Sequence, residues 1–177
     1  MIYNIAIDGP AGAGKSTIAK RVAKNLGFIY VDTGAMYRAM AVYFLDKGID
    51  VNDEDAVSRD CDNVNIMIEY KDNLQQVILN GENITSRLRT EEVGNTASAV
   101  AVYPAVRKKL VELQKELAKK TSVVMDGRDI GSCVLKDAVC KIYLTASVEC
   151  RALRRMAELQ EKGVDTSLEI IKADISD

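Results

Sequence analysis

Histidine is absent from this sequence of 177 residues. That excludes imidazole general acid–base catalysis and histidine metal sites, so any chemistry must run on other side chains. Cysteine is scarce and follows no C-x-x-C spacing: Cys61, Cys133, Cys140 and Cys150 are scattered. They read as reduced thiols in a cytosolic protein, most of them buried as small hydrophobes. No run approaches the roughly 20 apolar residues that span a bilayer, so no membrane partner is expected. The N-terminus shows no basic stretch followed by an apolar one and a cleavage site, so no signal peptide is expected either. An excess of positive charge is also missing, since the formal net charge is -2, and nucleic-acid binding gains no support from it. What is present, 47% apolar and 28% charged residues, suits one soluble domain with at most a small insertion.

The chain opens with a short apolar run, Tyr3 to Asp8, that breaks at Gly9 as a buried parallel strand does. Lys15 to Leu26 spaces Ile18, Val22 and Leu26 as a helix does, and Gly27 stops it. Phe28 to Val31 is a second strand. Thr33 is the expected N-cap of a helix through Leu45, ended by Gly48. Strand–helix–strand–helix in this order begins a parallel α/β sheet. The pattern then changes to short strands at Asn65–Tyr70, Gln75–Asn80 and Asn83–Thr85, joined by the turn signals Lys71-Asp72-Asn73 and Asn80-Gly81. This predicts a small antiparallel insertion. Helical pattern returns after Thr90, and Pro104 suits a first helical turn ahead of Val106, Leu110, Leu113 and Leu117 on one face. Ser122–Met125 and Val139–Leu144 are two further core strands, and Glu149–Lys162 is a charged helix stopped at Gly163.

Gly9-Pro10-Ala11-Gly12-Ala13-Gly14-Lys15-Ser16-Thr17 satisfies G-x-x-x-x-G-K-[ST], the P-loop, after a strand and at the start of a helix. Glycines let the backbone curl so that successive N–H groups point at phosphate oxygens. The helix N-terminus adds its positive dipole end. Lys15 is expected to reach the β- and γ-phosphates of ATP or GTP, and the Ser16 hydroxyl to ligate Mg²⁺. A glycine-rich turn with a solvated lysine is the plain alternative, against which motif, strand and helix agree. What happens to the phosphate is left open by the motif alone.

Further segments narrow that. Asp32-Thr33-Gly34-Ala35-Met36-Tyr37-Arg38 sets an arginine on the helix after the second strand. Val124-Met125-Asp126-Gly127-Arg128-Asp129-Ile130-Gly131 sets two carboxylates and an arginine at a strand's C-terminal end, where open α/β sheets place ligands. Between them lie Asn80-Gly81-Glu82 and Arg89-Thr90-Glu91-Glu92-Val93. Together with the P-loop these segments closely resemble the bacterial cytidylate kinases, a branch of the P-loop nucleoside-monophosphate kinases, from about Ile5 to Asp177. The resemblance implies a P-loop NTPase-type parallel sheet flanked by helices, with an inserted small antiparallel and helical monophosphate-binding domain and a lid. On that pattern 1–62 with 104–148 form the core, 63–103 the insertion, and 149–177 a lid region cut short. It also implies ATP + CMP (or dCMP) ⇌ ADP + CDP (or dCDP), with Mg²⁺, in a cytoplasmic monomer.

The acceptor in such a reaction is already a phosphate oxyanion, so alignment and charge neutralisation matter more than a base, and the missing histidine is no obstacle. By resemblance, Arg38 and Arg128 clamp the acceptor phosphate with planar guanidinium forks. Ser98, Arg107 and Asp129 read the cytosine ring, with Thr33 nearby; a carboxylate can accept from the exocyclic amine while serine and arginine donate to ring acceptors. Asp126 ends an apolar strand as a Walker-B carboxylate does and could hold Mg²⁺ through water, with a turn-forming Asp-Gly as its rival reading. Asp8 is expected to anchor the P-loop. Arg151 and Arg155, four apart on one helix face, match a pair that related kinases carry at the lid base, one against the donor nucleotide and one on the transferring phosphate. Without the resemblance, Arg38, Ser98, Arg107, Arg151 and Arg155 would be solvated helix residues and Arg128 a structural ion pair.

In the cytidylate kinases an arginine- and aspartate-rich segment, R-D-x-x-D-x-x-R, follows the position where this sequence reaches Asp177. Ser167 to Asp177 is helical in pattern and has no cap at Asp177. The expectation is a chain cut within the lid that binds nucleotide weakly and turns over poorly. Two other functions stay open at this point: another small P-loop metabolite kinase, acting for example on shikimate or dephospho-coenzyme A, and a non-catalytic nucleotide-binding switch or fragment.

Overall fold

A computed structural model describes residues 1–71, 74–161 and 163–176. Asp72 and Asn73 of the expected first turn, Lys162 at the end of the charged helix and Asp177 lie outside the described residues.

Four strands form a parallel sheet in the order β2-β6-β1-β7: β1 Asn4–Asp8, β2 Ile29–Asp32, β6 Val123–Gly127 and β7 Cys140–Tyr143. Alternation along β1 sorts its side chains to two layers. Ile5 and Ile7 pack with Ala19, Ala23, Tyr30 and Val124 under helix α1, Lys15–Leu26. Ala6 faces the opposite layer with Val31, Val123 and Met125. Helix α2, Thr33–Lys47, crosses that second layer, buried on nearly every side from Met36 to Phe44. An apolar helix enclosed in this way belongs to an interior. It also packs on the insertion's helix α4, Glu91–Val100, and on helix α5, Pro104–Lys120.

The N-cap of α2 is Asp32, whose carboxylate accepts from the Ala35 N–H at 3.0 Å, and not Thr33 as expected. Thr33 is buried instead, its hydroxyl donating to the Asp126 carbonyl at 2.7 Å. Helix α3, Glu54–Asp60, is an element the apolar pattern does not reveal, because Val57 is its only buried residue. Its signal is polar: Asp53 caps it, with Glu54 and Asp55 in the first turn.

The antiparallel insertion is present as β3 Ile66–Lys71, β4 Leu74–Leu79 and the two-residue β5 Glu82–Asn83, in that order across the sheet. Asn80 and Gly81 both take positive φ (48° and 89°), the backbone of a tight hairpin turn. The third strand ends earlier than expected because the Thr85 hydroxyl accepts from the Val77 N–H at 2.8 Å and the chain turns into a 3-10 turn, Thr85–Arg87. β7 departs from the expected core strand. Among the described residues it pairs only with β1, and every residue of it is exposed, so it is the edge of the described sheet. Helices α6, Val148–Glu161, and α7, Leu168–Ser176, pack on each other.

Phe44, fully buried in α2, lies within the hydrophobic cluster that α2 shares with the insertion and α5. Phe44→Ala is expected to cost about 3–5 kcal/mol of stability, read as a lowered urea midpoint with an unchanged m-value.

Candidate functional site

Parallel register brings three strand ends to one edge. Asp32 pairs with Asp126 across β2 and β6, and Asp8 with Gly127 across β1 and β6. The P-loop leaves β1 at the same edge. Gly9 can only be glycine: its φ is 148°, and a Cβ there would lie 2.0 Å from the Leu144 carbonyl oxygen. Gly14, at φ 93°, turns the chain into α1 as its N-cap, leaving first-turn N–H groups without a side-chain cap.

Lys15 is half-buried and donates to the Pro10 carbonyl at 2.8 Å, so its ammonium is tethered over the loop. Burial holds its pKa below the ordinary lysine value, with Asp126 opposing and Arg128 adding to the shift. The Ser16 hydroxyl donates to Oδ2 of Asp126 at 2.7 Å. Asp126 lies within β6, only 4% exposed, and is therefore a strand-end carboxylate and not a turn residue. Burial pushes its pKa above the usual carboxylate range, while the Ser16 hydrogen bond pulls it down. Asp8 does a different task from the one expected: its carboxylate accepts from the N–H groups of Ile130 and Gly131 at 2.7 and 2.8 Å. It braces the loop after β6, not the P-loop.

A cleft of about 550 Å³ opens between these groups and the insertion. Lys15, Ser16 and Asp126 line one side; Arg38, Arg128, Arg107, Asp129 and Ser98 line the others. Arg38 pairs with Asp32 at 3.2 Å. Arg107 is ion-paired with Asp129, so two of the three groups expected to read the base are held together. Ser98 is exposed and its hydroxyl donates to the Gly94 carbonyl at 3.1 Å. Arg128 is exposed and makes no ion pair among the described residues.

Helix α6 lies over the P-loop. Arg151 packs close to Gly12, where an added Cβ would stand 3.2 Å from the Arg151 Cβ. The arginine that reaches the loop by hydrogen bond is Arg154, donating to the Gly12 carbonyl at 2.9 Å. Arg155 pairs with Glu158 at 3.3 Å and lines neither of the two main clefts. Sequence reasoning passes over Arg154, although its i,i+3 spacing from Arg151 was there to be used.

Among the described residues, the buried side-chain polar atoms without a hydrogen-bond partner are Tyr30 OH, Arg38 Nε, Asp126 Oδ1 and Arg151 Nε. Of these residues Arg38 and Asp126 line the cleft, where a polar ligand can reach them. Asp126 Oδ1 and the Ser16 hydroxyl are hard oxygen donors and fit Mg²⁺. No group of three or more acidic or thiol ligands occurs among the described residues. Two protein oxygens suit a Mg²⁺ ion that keeps waters and shares phosphate oxygens.

The sequence model of the family described as Cytidylate kinase matches residues 5–177. The chain belongs to the cytidylate kinase family. A cytidylate kinase from Oceanobacillus iheyensis is 50% identical over 173 residues, covering 98% of this chain and 75% of that protein. Another, from Lactobacillus johnsonii, is 48% identical over 174 residues, covering 98% and 76%. A third, from Bacillus cereus, is 50% identical over 173 residues, covering 98% and 77%. The family match runs without interruption through the antiparallel insertion and α6, and the P-loop fold with its insertion is that of the cytidylate kinases. No helix among the described residues is long and apolar enough to cross a membrane.

The raised pKa of Asp126 has a definite sign. A carboxylate whose folded pKa exceeds its unfolded one costs the fold stability as pH rises through that range. Asp126→Asn is expected to stabilise the ligand-free protein by about 1 kcal/mol at neutral pH, the gain vanishing below about pH 4. Urea titrations at several pH values measure it, and turnover of the same variant is expected to collapse.

Proposed function

We propose that the chain transfers the γ-phosphoryl group of ATP to CMP or dCMP, giving ADP and CDP or dCDP. The observation that carries this is the convergence of two phosphate-binding halves on one cleft: Lys15 and Ser16 on the donor side, Arg38 and Arg128 on the acceptor side. An acceptor-phosphate oxygen forms the new P–O bond at the γ-phosphorus while the bond to the β–γ bridging oxygen breaks, and ADP leaves with that electron pair. The attacking oxygen is already anionic, so no side chain has to remove a proton. Lys15, released from the Pro10 carbonyl, follows the β- and γ-phosphates. Arg38 and Arg128 fix the acceptor phosphate in line. The P-loop from Gly9 through Thr17, with Pro10, Ala11, Gly12, Ala13 and Gly14, cradles the donor, and α6 covers it through Arg151 and Arg154, with Arg155 held by Glu158. Ser16 and Asp126 hold Mg²⁺, which when bound draws charge from the donor phosphates.

For the base, Asp129 accepts from the exocyclic amine of cytosine, kept in place by Arg107, while Ser98 donates across the cleft and Thr33 fixes the floor through the Asp126 carbonyl. Uracil offers a carbonyl where cytosine has its amine, and a carboxylate repels it. Residues 1–62 and 104–148 act as the core, 63–103 as the monophosphate-binding part and 149–177 as part of the lid. The protein works as a monomer in the cytoplasm.

Titration calorimetry of CMP and UMP against wild type and Arg128→Ala tests this. CMP is expected to bind wild type far more tightly than UMP, and Arg128→Ala to lose about 2–3 kcal/mol of CMP affinity. A coupled assay with UMP or AMP outpacing CMP would overturn the assignment of Ser98, Arg107 and Asp129. Asp129→Asn is expected to narrow the CMP-to-UMP ratio of kcat/KM by about tenfold or more, since an amide can serve either ring edge.

A further inference from the structure

A second cleft, of about 840 Å³, lies on the other side of the Asp32–Arg38 ion pair, between α1 with β2 and the face of the β3–β4 sheet. It exceeds the first in volume and falls in the size range of small-molecule sites. Its charge is one-sided. Among the described residues, Lys20, Lys24, Arg38 and Arg89 line it, and the one acid in the lining is Asp32, which Arg38 already holds. Lys20, Lys24 and Arg89 have no ion-pair partner among the described residues, in a chain whose net charge is -2. The Lys20 ammonium stands 5.5 Å from the centroid of the Tyr30 ring, and cations without an acidic partner gathered in a concave, partly apolar site raise the local concentration of anions.

The arrangement is more specific than a basic patch. Lys20 and Lys24 stand one turn apart on α1, so their ammonium groups are neighbours along one face and can flank successive phosphates. Arg89 comes from beyond the insertion's sheet and closes the opposite wall. Between them the Tyr70 ring is partly exposed, and its cross-strand neighbour Gln75 presents a side-chain amide whose oxygen accepts from the Asp32 N–H, so a ring and an amide that can hold a flat heterocycle stand together.

We propose that this cleft binds a nucleoside triphosphate as an effector, with the triphosphate on Lys20, Lys24 and Arg89 and the base against Tyr70 and the Gln75 amide. The occupant is separate from the phosphoryl donor, because none of these residues lines the P-loop cleft. Its influence passes through the shared wall: Arg38 faces both clefts, and Asp32, its partner, donates its backbone N–H to Gln75 at 3.2 Å. Anion binding competes with Asp32 for Arg38, so the effector changes the KM for the acceptor. That effect on KM rests on Arg38 being an acceptor clamp; binding does not.

The test is radiolabelled CTP binding to the intact protein with the first cleft saturated by a bisubstrate analogue that joins adenosine and cytidine through a polyphosphate. Wild type is expected to retain one further equivalent of CTP. Lys20→Glu/Lys24→Glu, and separately Arg89→Glu, are expected to weaken it at least tenfold while keeping kcat and the melting temperature. No CTP retained by the saturated enzyme, or equal retention by both variants, would overturn the site. Equal affinity for tripolyphosphate alone would overturn the base-binding half. CTP binding that leaves the CMP KM unchanged in wild type would overturn the coupling through Arg38.

Discussion

Three aspartates meet at one end of the parallel sheet, and the structure depends on giving each carboxylate a separate partner. Adjacent register sets Asp32 beside Asp126 and brings Asp8 level with Gly127. Left unsatisfied, three acids this close would repel one another across a poorly solvated edge. Asp8 is taken by two backbone N–H groups after β6, Asp32 by the first turn of α2 and by Arg38, and Asp126 by Ser16. Each pairing shapes a different wall of the cleft: the loop carrying Arg128 and Asp129, the helix carrying Arg38, and the P-loop helix. Electrostatic necessity and site construction are thus one arrangement.

The insertion is tied to this edge from outside the core. Its β4 strand sends Gln75 to the Asp32 backbone, and α4 packs along α2. The charged wall and the insertion therefore share a helix whose buried length, from Met36 to Phe44, cannot shift without disturbing the cluster that joins the sheet to the insertion. Positioning of Arg38 is a property of that packing as much as of its ion pair.

Much of this was legible in the residues alone. The P-loop declared itself because glycine spacing, lysine and strand–helix context coincide, and the antiparallel insertion because Asn80-Gly81 demands two positive φ values. The motifs around Asp126 and Arg38 carry residues that the fold brings to one cleft. Pattern failed where a side chain chose between two backbone partners. Asp32 and Thr33 are both able caps, and only the buried Asp126 carbonyl, a tertiary neighbour, decides that Thr33 is used elsewhere. Helix α3 escaped because it buries a single apolar residue, Val57, and so carries no periodicity. Arg154 and Arg155 could not be told apart, since both lie within a turn of Arg151 and the location of the P-loop relative to α6 is set by packing.

β7 carries a further consequence. Its inner side is joined to β1, but Cys140 to Tyr143 are exposed throughout and Val139 and Tyr143 stand well out into solvent. One row of its backbone N–H and C=O groups faces outward with apolar side chains beside it, which is a template for an incoming strand. Whatever lies along that row, whether polypeptide from the same molecule or a neighbouring one, gains main-chain hydrogen bonds and apolar cover together.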